Sequence, residues 1–113
     1  MKSIPVLGLG KVGHLAAELL HEADFHVFGY DLRRPANDPK FPVNILDTSS
    51  EAELGKAFAN VDAVLSCLPY HLNKGVANAA HKAGIHYFDL TEDVPTTNHI
   101  LELSKTSKGL MAP

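Results

Sequence analysis

Ile4-Pro5-Val6-Leu7-Gly8-Leu9-Gly10-Lys11-Val12-Gly13 is the stretch on which the reading of this chain turns. Residues 4–9 are a short apolar run with β-branched Ile4 and Val6, which predicts a buried strand. Over residues 11–22, Val12, Ala16, Leu19 and Leu20 recur at helical spacing with no proline, and Ala23 extends the series. That pattern predicts an amphipathic helix. Between strand and helix, Gly8, Gly10 and Gly13 make a G-x-G-x-x-G. Glycines gather in turns by chance, so the pattern alone says little; between a strand and a helix it gains weight. Gly8 suits a tight turn, Gly10 lets a diphosphate approach the main chain, and Gly13 lets helix and strand pack closely. The N–H groups at Lys11 and Val12 would then lie at the positive end of the helix and favour an anion.

Working outward, strand and helix signals alternate. Residues 25–30 (Phe-His-Val-Phe-Gly-Tyr) read as a second strand ending at Asp31, and the proline-rich stretch 32–42 reads as a loop. Residues 42–47 are a third strand. Thr48, Ser49 or Ser50 offers a cap for a helix running to about Phe58, with Glu51 and Glu53 suited to its first turn. Residues 61–66 are a fourth strand, closed by Cys67-Leu68-Pro69. A helix over about 73–83 stops at Gly84, where a C-terminal glycine belongs. Residues 85–90 form a fifth strand, 96–107 a final helix, and 109–113 the opening of a sixth strand. Apolar strands joined by helical crossovers predict an α/β class. The expected architecture is a doubly wound parallel sheet in three layers, α/β/α, of the Rossmann dinucleotide-binding type.

Composition narrows the alternatives. The chain has 113 residues, 45% hydrophobic and 20% charged, with a formal net charge of −3. That describes one compact domain large enough to bury a core unaided. A single cysteine, Cys67, excludes a disulfide framework and a multi-thiolate zinc site. No apolar run reaches the ~18 residues of a membrane-spanning helix. The slightly acidic balance argues against a nucleic-acid surface. With no secretory signal and one unpaired cysteine, a reducing cytoplasmic location is expected.

The candidate site residues cluster at the ends of the predicted strands. Asp31 lies eighteen residues after Gly13, close to the spacing at which an acidic side chain accepts from an adenosine ribose hydroxyl. Such a carboxylate repels a 2′-phosphate, so NAD is the expected coenzyme. Leu32 adjoins it, and Arg33 and Arg34 would allow NADP. Asp47 and Thr48 end the third strand, where a polar side chain would meet the adenine or, equally, cap the next helix. Backbone from Cys67 through Leu68 to Pro69 is expected to face the coenzyme, with Cys67 a small buried thiol rather than a nucleophile. Asp89, Thr91, Glu92 and Asp93, at the end of the fifth strand, would border the nicotinamide half. There they would assist with an amine or a proton, or solvate the loop. Seven histidines fall in no metal-ligating spacing, and no metal is expected.

Gly8 to Gly13, Cys67-Leu68-Pro69 and Gly84-Ile85-His86-Tyr87-Phe88-Asp89 together resemble the nucleotide-binding domain of the saccharopine dehydrogenase family. That family includes saccharopine reductases, lysine 6-dehydrogenases, carboxynorspermidine dehydrogenases and homospermidine synthases. The resemblance covers the whole chain. It implies NAD(P)-dependent oxidation at a carbon bearing an amine, or reduction of the imine, on an amino-acid or polyamine-type substrate. It also implies a catalytic domain after residue 113 that supplies most substrate contacts and a homodimer surface, so residues 1–113 alone are expected to bind coenzyme without turnover. One departure stands out: Thr91-Glu92-Asp93 replaces the tyrosine that many relatives carry there. A regulatory nucleotide-sensing module without catalysis would show the same sequence to Pro113.

Overall fold

The computed structural model describes residues 2–34, 39–90 and 93–113. Its elements are β1 (Ser3–Leu7), α1 (Lys11–Glu22), β2 (His26–Asp31), β3 (Val43–Ile45), α2 (Glu51–Ala57), β4 (Ala63–Ser66), α3 (Tyr70–Ala83), β5 (His86–Asp89), α4 (Val94–Ser104) and β6 (Met111–Ala112). The strands form one sheet in the order β3-β2-β1-β4-β5-β6, with every pairing parallel. The chain builds outward from β1 to β3, crosses back, and builds outward again from β4 to β6. The reversal in order therefore falls between β1 and β4, and in such sheets the ligand crevice lies outside the carboxyl ends of the strands at that point.

Helices occupy both faces, so the expected doubly wound, three-layer arrangement is present. On one face Leu7, Val64 and Tyr87 pack against Leu54, Val76 and Ile100, which places α2, α3 and α4 there. On the other, Val6, Val27 and Val43 pack with Ala17 of α1 and with Phe41 from the loop before β3. The alternation along β1 decides this division: Val6 and Leu7 point to opposite faces and both are fully buried.

Several boundaries differ from the sequence reading, each for a local reason. α3 begins at Tyr70, not at Asn73. Pro69 has φ −54° and its carbonyl accepts from Leu72 N–H at 3.0 Å, so the turn starts before any apolar periodicity shows. α4 begins at Val94 and ends at Ser104. Pro95 is tolerated in the first turn, where no N–H partner is needed, and Asp93 caps the helix by accepting from Thr96 N–H at 3.0 Å. Of the three cap candidates for α2, Ser50 takes the position and accepts from Glu53 N–H at 3.2 Å. Gly84 ends α3 with φ +72°, as its position predicts.

The bounds of α1 match the expectation, but its buried face does not. Gly13 and Ala17 turn fully inward and Ala16 and Leu20 half so, while Val12, Leu19 and Ala23 are exposed. Two small residues let the helix ride close to the sheet, and the larger apolar side chains are left on its flank.

Candidate functional site

The glycine turn is held from three sides. Gly8, with φ +85°, donates its N–H to the Tyr30 carbonyl at 2.9 Å, tying the turn to β2. A Cβ on Gly8 would lie 2.9 Å from the Cys67 carbonyl oxygen and 3.1 Å from Leu68 Cδ2. The chain leaving β4 therefore closes directly on the turn. A Cβ on Gly13 would lie 1.7 Å from the Gly8 carbonyl oxygen. That contact is impossible, and it fixes how closely α1 docks on the strand end. At Gly10 a Cβ would meet nothing within 4 Å.

Gly10 thus stands at the N-cap of α1 over open space, without a side-chain cap and without an acid in the first turn. The Gly10 carbonyl is occupied by His14 N–H at 2.8 Å, the ordinary first helical bond. The leading N–H groups of an α-helix lack intrahelical partners, and the helix end carries partial positive charge. The residues present therefore fit a diphosphate: main-chain donors at Lys11 to Gly13, a positive dipole end, and room at Gly10 for a group to approach.

Asp31 is brought beside this turn by β2. Its Oδ2 accepts from Leu9 N–H at 2.7 Å and its Oδ1 from Leu32 N–H at 2.7 Å. The first of these bonds makes the carboxylate part of the turn's own scaffold, which residue spacing did not reveal. Each carboxylate oxygen keeps a further lone pair for a ligand hydroxyl. Leu32 and Arg33 are exposed next to it. Arg34 reaches the other way and donates through Nη1 to the Val43 carbonyl at 3.1 Å. Of the two arginines, Arg33 is the one whose side chain is not drawn onto β3.

Asp47 is exposed just past β3 and accepts from Ser49 N–H at 3.0 Å and Ser49 Oγ at 2.6 Å. The Ser49 hydroxyl, then the Ser49 amide, hold its carboxyl below the usual range. Thr48 is buried and does not cap α2. Cys67 is half-buried, and burial pushes its thiol up, away from the reactive thiolate. Leu68 is half-buried and Pro69 exposed at the same strand end. Thr91, and Glu92 with it, lies outside the described residues.

Beneath the tips of β4 and β5 runs a buried polar layer that the sequence reading missed. Ser66 Oγ donates to Asn73 Oδ1 at 2.6 Å, and the Tyr87 hydroxyl donates to Asp89. Ser66 and Asp89 are side-by-side partners on adjacent strands. Only pairing places the two bonds together; the available signal was the i, i+2 spacing of Tyr87 and Asp89 on one strand face. Burial, then the Asp89 hydrogen bond and charge, push the Tyr87 hydroxyl far above its usual range. The expectation that these acids serve an amine substrate is changed here. Asp93 Oδ2 caps α4, accepting from Thr96 N–H and Thr96 Oγ1, and Asp89 is buried. Above this layer Tyr70, His71, Lys74, Asp93, Pro95 and Thr96 line an open groove. Among the described residues no helix is long and apolar enough to cross a membrane.

A parallel sheet with its switch point at a glycine turn, opening on bare helix amides beside a carboxylate, defines a dinucleotide-binding domain. Residues 4–110 match the family model for the saccharopine dehydrogenase NADP-binding domain, and the chain belongs to that family. The resemblance read from its motifs is thereby shown, and with it the binding of a nicotinamide dinucleotide. Apo saccharopine dehydrogenase (L-Glu forming) from Saccharomyces cerevisiae superposes with a TM-score of 0.80 at 20% identity, covering 98% of this chain and 26% of that one. MoeE5 in complex with UDP-glucuronic acid and NAD also reaches 0.80, at 14% identity, covering 97% of this chain and 53% of that one. A putative epimerase from Bacteroides thetaiotaomicron reaches 0.69 at 20% identity, covering 78% of this chain and 46% of that one. At these identities the likeness is one of fold, and the chain spans about a quarter to a half of these structures' lengths. No curated protein sequence matches the chain.

Proposed function

We propose that this chain is the coenzyme half of an NAD(P)-dependent oxidoreductase acting on a CH–NH or imine group of an amino-acid or polyamine-type substrate, with NAD the preferred coenzyme. The observation that carries the reading is the open approach at Gly10 on the uncapped α1 N-terminus, beside the Asp31 carboxylate. Main-chain amides at Lys11, Val12 and Gly13 would receive the diphosphate. Asp31 would accept from the ribose diol and set itself against a 2′-phosphate, which supports NAD. Arg33 beside it supports NADP as the competing choice, and the family model is named for NADP. Asp47 and Thr48 would border the adenine, and the Cys67 to Pro69 backbone and Thr91 the nicotinamide. When bound, the coenzyme supplies hydride chemistry. The chain's own residues bind and orient it, and a further catalytic domain positions the substrate, since positioning accounts for much of the rate. The preference for an amine substrate rests on family membership, and a cytoplasmic location is proposed with it.

Titration calorimetry of the chain with NAD and NADP tests the reading. Saturable binding, tighter for NAD, is expected, and Asp31→Ala should narrow the difference at least tenfold. Absence of heat with either coenzyme at about 1 mM, a limit near −4 kcal/mol, overturns it.

A further inference from the structure

Parallel sheets are stable when both faces are covered. Here α2, α3 and α4 cover one face, whereas α1 alone covers the other and packs over β1 and β2. On the α1 side, among the described residues, no helix lies over β5 or β6. Leu65, Phe88 and Ala112 stand abreast there as register partners on adjacent strands, all half-buried. Leu90 and Leu110, 61% and 59% exposed, continue the same alternation above and below this floor.

One wall of this trough is α1 itself. His14, on one flank of the helix, stacks on Phe41 beside β2 and β3. With 3.6 residues per turn, Val12 and Leu19 fall on the opposite flank, toward β4, with Leu15 between them and the outer surface. These three are 59%, 57% and 57% exposed at i, i+7 and i+3. Floor and wall make one contiguous apolar patch of several hundred Å², a size that monomers seldom leave open.

We propose that a second copy of this chain occupies the trough. The space lacks one helix with an aliphatic flank, and α1 is the helix that presents such a flank. A two-fold axis running along the strands lays the partner's α1 over β4 to β6 of the first copy, and the first α1 over the same strands of the partner. The contact is isologous and closed, each α1 lying between two sheets. Two such patches together bury roughly 1,200 Å², the lower bound of stable interfaces. The axis leaves the carboxyl strand ends and the Gly10 approach open. The inference does not depend on the coenzyme reading.

Sedimentation equilibrium of the chain from about 1 to 100 μM tests it. The mass of two chains is expected at the upper end. Leu19→Glu and Leu110→Glu, both at exposed positions, should each weaken the dimer at least tenfold while circular dichroism and NAD affinity stay unchanged. A one-chain mass throughout overturns the proposal and leaves the trough to a helix of another polypeptide. A dimer indifferent to both variants also overturns it.

Discussion

At Gly13 an added methyl would sit 1.7 Å from the Gly8 carbonyl oxygen, while at Gly10 it would meet nothing within 4 Å. The two glycines serve different masters, the fold and the ligand. Gly13→Ala must push α1 off the strand end, and a loss of about 1–3 kcal/mol or more is expected by chemical denaturation, the range for overpacking. Gly10 has φ −69°, a value any residue adopts, so Gly10→Ala should change stability by under about 1 kcal/mol. Its NAD affinity should fall at least tenfold, about 1.4 kcal/mol, as measured by calorimetry. Equal damage to folding from both variants would contradict this division. Asp31 is a mixed case: spacing found it, but its bond to Leu9 N–H makes it a support of the turn as well as a candidate ribose acceptor.

Among the elements, α1 was legible to both ends because glycines bracket its start and periodicity runs its length. α3 and α4 were not, because each begins on residues without apolar rhythm, Tyr70-His71 and Val94-Pro95, and their starts depend on Pro69 and on the Asp93 cap. The end of α3 was readable from Gly84 alone. Its φ of +72° costs an L-residue about 1–2 kcal/mol. A Cβ there would meet only Lys108 at ordinary contact, 3.5 Å, so the cost is conformational and not steric. Gly84→Ala should therefore lower the unfolding free energy by that amount and leave coenzyme affinity intact, since Gly84 lies at the opposite end of α3 from the strand tips.

For the molecule as a whole, Tyr87 ties stability to alkaline pH. It is fully buried and bonded to Asp89, and both effects hold its proton in the folded state. In the unfolded chain the hydroxyl ionises near its ordinary value of 10.0. The folded value is the higher one, so this contribution is complete below about pH 10 and is lost as pH rises beyond it, with a slope of up to about 1.4 kcal/mol per unit. Urea midpoints should be flat in this respect to pH 10 and fall above it, and Tyr87→Phe should flatten the alkaline fall. Tyrosinate absorbance from Tyr87 should appear only together with loss of the folded circular dichroism signal. Ionisation of all three tyrosines in the folded state would refute the buried pairing.

What the sequence determined by itself is everything set by near neighbours: the strand–glycine–helix opening, the alternation of elements, the Gly84 stop, and Asp31 at the end of β2. These follow from local steric and hydrogen-bonding preferences that act within a few residues. The tertiary structure alone decided which faces are covered. Register places Leu65, Phe88 and Ala112 abreast on an open floor, and close docking through Gly13 and Ala17 turns Val12 and Leu19 outward. It also decided that Ser66, Asn73, Tyr87 and Asp89 share one buried layer, because burial and pairing depend on the distance between chain segments in space and not on their separation along the chain.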